Sequence, residues 1–275
     1  MQQETSLSAR RFGGLNVNQL KYLAAAFMVI DNAYFSFDTV IPAWVHLITR
    51  FVAPLFAFLM VEGFFHTHDR RKYLLRLWLA AWIMEAGDFL SLAVLGKKYQ
   101  IYDNIFLTLA VAFTLIYLFE SGKLADEKRK KVLFYVLGGL LLAAGYYFSL
   151  IPVVIGNFAI GLEGGMQLLS VVLIFYFFYG NRRKQITVFL IWNAMFLLLM
   201  GGIVLPGNYS SLKDWFDDFC SSSDGLVFLF LPFVFLYNGQ KGRKSAFNQY
   251  FFYIFYPAHL WIIHLAAFLL RGGMG

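Results

Sequence analysis

Nine stretches of predominantly apolar residues follow one another along the chain, at about 20–37, 43–65, 73–95, 104–120, 132–151, 158–179, 186–205, 225–238 and 249–270. Charged or Gly/Pro-containing connections separate them. A helix rises about 1.5 Å per residue and the hydrocarbon core of a bilayer is about 30 Å thick, so most of these stretches have the length that crosses it. The pattern predicts an all-α, polytopic membrane protein of about nine transmembrane helices. The eighth stretch is short and carries Pro232, and the link near Pro152 is weak, so the count ranges from eight to ten. No fixed-period repeat or low-complexity tract interrupts the series. The organisation expected is a polar segment over 1–19 and one transmembrane helical domain over 20–275.

Composition agrees with the pattern. Of 275 residues, 60% are hydrophobic and only 14% are charged, well below the roughly 25% of soluble domains. The first apolar run contains Asp31 and lacks a small-residue cleavage site, so it reads as a retained first helix. The net charge of +7 acquires meaning only once its placement is known. With the N-terminus placed in the cytoplasm, 18 of the 23 Lys and Arg residues fall on the inner side, 4 on the outer, and Arg50 lies within the second span. That asymmetry is the positive-inside bias of a membrane protein, and it removes any need for a nucleic-acid partner. The same orientation puts the C-terminus outside. The single Cys220 has no cysteine to pair with in the chain and suggests neither a redox nor a zinc role.

Ionisable groups within the apolar runs carry the candidate chemistry, because each costs about 2.5–3.5 kcal/mol at the centre of a membrane on insertion scales. Asp31 is expected near mid-depth of the first helix and Arg50 in the outer half of the second. Glu85 and Asp88, one turn apart and so on one helix face, reach the outer half near Asn104 and Glu163. His259 lies near the middle of the last helix, and His264 nearer the surface. An Asp31–Arg50 ion pair fixing helix packing is one reading. The number of groups at similar depth favours a polar cavity with Asp31, Arg50, Glu85, Asp88, Asn104, Glu163 and His259 around it.

The inner connection holding His66, Arg70, Arg71, Lys72 and Arg76 gathers bases at a helix junction, where a phosphate would be well received; orientation alone also explains such a cluster. His66 and His68 are spaced i, i+2 and do not share a helix face, so no metal site is expected there. The Gly161 to Gly165 segment lacks the Lys and Ser/Thr of a phosphate loop, and close helix packing is the better use for its glycines.

Several ordered motifs carry a resemblance. They are Leu20 and Lys21 with Met28 to Asp31; Arg50 and Pro54 followed by Gly63, Phe64, Phe65, His66, Thr67, Tyr73 and Arg76; Tyr237, Asn238, Gly239 and Gly242; and Tyr253, Tyr256, Pro257, His259 and Leu260. A weaker fifth runs from Asn104 to Thr108. In combination and order they resemble the TraX family, membrane proteins named for the F-pilin N-acetyltransferase, and more distantly the integral-membrane acyltransferases of cell-surface sugars. The resemblance implies a multi-pass protein of the bacterial cytoplasmic membrane. It implies transfer of an acetyl or acyl group from cytoplasmic acetyl-CoA, or another acyl-CoA, to a pilin, peptide or surface-glycan acceptor.

On that reading His66, Arg70, Arg71, Lys72 and Arg76 hold the coenzyme A phosphates, with no metal involved. His259, or a carboxylate among Asp31 and Glu85, takes the acceptor proton, while Arg50, Asn32 or Asn104 stabilises the oxyanion. One position departs from the family pattern. The first-helix Asp is usually followed by His, and here Asn32 follows Asp31. An amide cannot act as a base, so either the chain has lost the chemistry or His259 supplies it. The alternatives left open are a non-catalytic membrane partner in a secretion, conjugation or immunity system, and a small-solute or ion transporter.

Overall fold

The computed structural model describes residues 14–37, 40–156, 158–200 and 209–272. Arg10, Arg11 and most of the expected polar segment 1–19 lie outside these residues. Among them each of the nine apolar stretches contains a helix, and the protein is helical almost throughout. The helices are α1 (Val17–Ser36), α2 (Trp44–Thr49), α3 (Val52–His66), α4 (Arg70–Leu95), α5 (Ile105–Leu124), α6 (Lys128–Leu150), α7 (Gly165–Phe177), α8 (Arg182–Met200), α9 (Leu212–Ser221), α10 (Leu231–Leu236) and α11 (Ala246–Ala267). Among the described residues five stretches are long and apolar enough to cross a membrane: Trp44–His66, Arg70–Leu95, Ile105–Leu124, Lys128–Leu150 and Ala246–Leu270. The remaining stretches are either shorter or, as in α1 with Lys21 and Asp31 and in α8 with its Arg182, Arg183 and Lys184 start, more polar.

Where the sequence led to one continuous second helix, the chain breaks at Arg50 and Phe51, between α2 and α3. Pro54 explains the position. Its ring collides with the carbonyl of the residue four back, which is Arg50, and it has no N–H to bond there. Glu163 also differs from expectation. It lies in the turn ahead of α7 instead of inside a helix, because 158–160 forms the second strand of a short antiparallel hairpin, β1 (Val153–Ile155) with β2 (Phe158–Ile160), in the register Val153↔Ile160. Gly164 then adopts φ +57 to start the helix, a conformation that only glycine reaches freely.

The chain forms two compact units. The first comprises the described residues of Met1–Phe56 and Leu190–Ile263, and the second those of Ala57–Phe189 and His264–Gly275. In the second, α5 packs with α4, α6 and α7. Consecutive burial of Leu109, Ala110, Val111, Ala112 and Phe113 leaves α5 no solvent face, which marks it as the central helix of its unit. By contrast, Leu133, Val136 and Leu140 of α6 and Leu75, Leu79 and Trp82 of α4 are exposed. Such continuous apolar surface is unfavourable in water and natural against lipid. In the first unit α1 packs on α2 and α2 on α9, with stacked rings at Phe51–Phe233 and Phe56–Phe252, each 4.1 Å between centroids.

Glycines set how closely the helices of the second unit approach. A Cβ on Gly165 would overlap the Ser149 hydroxyl and come within 2.7 Å of Leu162 Cβ, whereas one on Gly139 would meet nothing within 4 Å. Gly165→Val is therefore expected to destabilise by about 1–3 kcal/mol through overpacking. Gly139→Ala is expected to be neutral or stabilising by up to about 1 kcal/mol from helix propensity. Unfolding of both variants in detergent checks the pair.

Candidate functional site

In the first unit, one face of α2 and its C-cap carries His46, Thr49 and Arg50 at i, i+3 and i+4, the spacing that brings side chains together on a helix. Asp31 of α1 meets them. Arg50 Nη2 lies 2.6 Å from Asp31 Oδ1, its Nη1 2.6 Å from Asp224 Oδ1, and its Nε donates to the His46 carbonyl at 2.9 Å. Thr49 Oγ1 sits 2.5 Å from Asp31 Oδ1. The His46 ring, 1% exposed, places Nδ1 3.4 Å from Asp31 Oδ1 and Nε2 3.3 Å from Asp224 Oδ1, and stacks on Tyr34. The sequence pointed to Asp31 and Arg50. It missed His46, although its i, i+4 relation to Arg50 was readable, and it missed Asp224, which stands 174 residues away from Arg50 in the chain and has no local signal.

Next to Asp31 on α1, the buried Asn32 places Nδ2 2.8 Å from Nε2 of the buried His259 on α11. The other ring nitrogen, Nδ1, is 3.0 Å from the Phe255 carbonyl. A carbonyl accepts only, so the proton of a neutral ring belongs on Nδ1, and Nε2 is left as the acceptor of the Asn32 amide N–H. Phe255 stacks on the ring, 5.0 Å between centroids and 12° apart in plane. His259 is thus held in one tautomer and one orientation, with its basic nitrogen turned toward Asn32.

In the second unit, Glu85 Oε1 accepts from Asn104 Nδ2 at 2.7 Å, and Asn104 also reaches the Ala81 carbonyl while its Oδ1 caps the start of α5. Asp88 Oδ1 accepts from the buried Gln100 amide at 2.7 Å. Among the described residues neither carboxylate has a salt bridge. The Glu163 backbone carbonyl accepts from the Thr108 hydroxyl at 2.9 Å. His264 places Nδ1 3.1 Å from the Tyr99 carbonyl.

Most of the bases expected to hold phosphate have polar partners within the second unit, while the buried Arg76 Nε has no hydrogen-bond partner among the described residues. Arg70 donates to the Phe64 carbonyl, covers the Phe64 ring and lies 3.5 Å from Glu120. Arg71 donates to the Tyr117 hydroxyl, Lys72 pairs with Asp69, Arg76 lies over the Tyr73 ring, and His66 Nδ1 is 2.8 Å from the Glu62 carbonyl. Sequence reasoning also missed the Arg182–Glu62 pair, at 3.0 Å, with Glu62 buried. Among the described residues no group of three or more His, Cys, Asp or Glu is placed to hold a metal ion.

Asp224 lies in the turn Ser223–Gly225, outside the apolar spans. Its contact with the His46 ring holds its carboxyl below the usual carboxylate range, with Arg50 acting in the same direction and burial against it. A lowered carboxylate pKa stabilises the fold above the ordinary value near 3.9, and that contribution is lost as pH falls through the lowered value. The thermal-stability difference between the wild type and Asp224→Asn is expected to be full at pH 7, on the order of 1 kcal/mol or less for so exposed a carboxylate, to begin to shrink below pH ~3.9 and to vanish once the pH is under the lowered value. Melting curves of both proteins across that range test it.

Comparison with known proteins covers the same residues. The family model described as TraX protein matches 16–267, which takes in both units. "Probable fimbrial assembly protein FimC, serogroup H1" from Dichelobacter nodosus is 26% identical over 271 residues, covering 92% of this chain and 96% of the relative. No solved structure matches the chain. The match to the family model over nearly the whole length, on a helical membrane architecture, places this chain in the TraX family.

Proposed function

We propose that this protein is a membrane-embedded acyltransferase serving fimbrial or pilus assembly, which moves an acyl group from a coenzyme A thioester to an amine or hydroxyl acceptor. The observation that carries the reading is the buried Asn32–His259 pair. A neutral imidazole fixed in tautomer and direction is suited to act as a general base, and the Phe255 carbonyl and Asn32 fix both for a neutral His259 ring. The fimbrial relative, aligned over almost its full length, supports the acceptor class.

The step follows from the chemistry of the ring. The acceptor N–H or O–H displaces the Asn32 amide from His259 Nε2 and gives its proton to that nitrogen as the acceptor attacks the thioester carbonyl. The displaced amide N–H is then free to donate to the carbonyl oxygen as it gains negative charge. The new C–N or C–O bond forms, the C–S bond breaks, and the departing thiolate takes the proton from Nε2. Asp31 has a different task, since its carboxylate is committed to Arg50 and Thr49.

A second reading, a non-catalytic membrane partner, is favoured by one fact: both ring nitrogens of His259 already have partners at rest. Two substitutions separate the readings. With labelled acetyl-CoA supplied to membranes carrying the protein, His259→Ala is expected to reduce label transfer by about 10²–10⁴-fold. Asn32→Asp replaces a donor by an acceptor of the same size. It draws the ring proton to Nε2 and is expected to reduce transfer while the pairing and the folded protein persist. Transfer by either variant at the wild-type rate would refute the role of His259 and leave the partner reading.

A further inference from the structure

The connection before α11 carries Lys241, Arg243 and Lys244, and the chain contains no Asp or Glu after Asp224 or between Gly14 and Ile30. All three basic residues are exposed, and none forms a salt bridge among the described residues. The backbone beneath them is tightly held. Leu15 N–H donates to the Leu236 carbonyl at 2.7 Å, Asn238 N–H to Leu15 at 3.0 Å and Val17 N–H to Gln240 at 2.9 Å. The Arg243 carbonyl accepts from both Asn18 and Asn248 side chains, at 2.9 and 2.6 Å. Gly242 has φ +80 and lies so close to Asn16 that a Cβ would come within 2.7 Å of its Oδ1. Holding three uncompensated cations on a fixed backbone suits an anionic ligand of defined shape.

From this loop a stripe of rings leads along one face of α11. Phe247, Phe251, Phe255 and His259 follow at four-residue spacing, with successive centroids 5.2, 5.1 and 5.0 Å apart. Tyr22 of α1 packs beside the first two. Exposure falls along the stripe, from 63% at Phe247, through partly exposed Phe251 and Phe255, to 6% at His259. The thirteen residue steps from Ala246 to His259 cover about 20 Å of helix, a depth suited to the arm that joins the phosphates of coenzyme A to its sulfur.

We infer that the loop Lys241–Lys244 binds the phosphates of the coenzyme A thioester, and that the Phe247–Phe251–Phe255 stripe guides its arm to His259. The inference rests on the acyltransferase reading and assigns its donor site. It differs from the expectation from sequence, in which the donor site was built on Arg70, Arg71, Lys72 and Arg76. Of those bases Arg70, Arg71 and Lys72 already have polar partners in the second unit, whereas the loop lies in the same unit as the candidate base and leads into its helix. An anionic phospholipid headgroup is the competing occupant of the same charges.

The test is a binding titration of the full chain in nanodiscs of zwitterionic lipid, with coenzyme A and pantetheine as ligands. Lys241→Gln/Arg243→Gln/Lys244→Gln is expected to weaken coenzyme A about tenfold or more and to leave pantetheine unchanged. Gly242→Ala, which keeps every charge and shifts the loop, is expected to weaken coenzyme A as well, while Arg71→Gln/Lys72→Gln keeps wild-type affinity. Retained coenzyme A affinity in the triple variant overturns the assignment and leaves the acyltransferase reading standing. The same holds if the triple substitution weakens association of anionic lipid with the protein and leaves coenzyme A binding unchanged. Absence of coenzyme A binding to the wild-type protein overturns the acyl-donor reading itself, and this site with it.

Discussion

A guanidinium inside an apolar helical unit must be surrounded by acceptors or the unit does not form, and Arg50 is placed accordingly. Its three nitrogens engage Asp31, Asp224 and the His46 carbonyl, so one side chain ties together α1, α2 and the turn before α10. Removing one member of a buried ion pair costs about 3–5 kcal/mol, because the remaining charge is left uncompensated. The cluster therefore fixes the rotation of α1 about its axis. With Asp31 directed at Arg50, the next residue is turned by about 100°, and that rotation brings Asn32 to His259. The imidazole site is a consequence of where the ion pair holds the helix.

This division explains why neighbouring residues have unlike tasks. A carboxylate bound to a guanidinium and a hydroxyl is well suited to hold structure and poorly suited to accept a further proton. A neutral imidazole whose Nδ1 donates to a carbonyl has its basic nitrogen defined as Nε2. The second unit reaches electrical balance differently, with amides from Gln100 and Asn104 on Asp88 and Glu85, and with ion pairs joining Arg70 to Glu120 and Arg182 to Glu62.

Much of the architecture was legible because the bilayer constraint acts on local sequence. Length and apolarity alone locate each helix-bearing stretch, since a spanning segment must satisfy its own backbone. What depended on the third dimension was not legible in the same way. The break at Arg50 required weighing Pro54 against a continuous apolar run, and the hairpin around 153–160 hid inside what reads as the start of a helix. Asp31 and Arg50 stood out as charges in apolar sequence, but Asp224 lies in an acidic connection where nothing distinguishes it from Asp217 or Asp218. The bases from Arg70 to Arg76 stood out by density, and density does not tell a paired base from a free one.

The short motifs follow the same logic. Tyr237, Asn238, Gly239 and Gly242 contain no group that performs acid–base chemistry, yet their spacing is accounted for by the backbone pairing with Leu15 and by the contact of Gly242 with Asn16. That pairing anchors the start of α1 against the connection leading into α11. Asp31 and Asn32 sit near the far end of α1 and His259 past the middle of α11, so an error in seating either helix would be carried up to the imidazole. A pairing 2.8 Å long between Asn32 and His259 tolerates little error of that kind. The glycines of the loop and the ions around Arg50 act on the same geometry from opposite ends of α1.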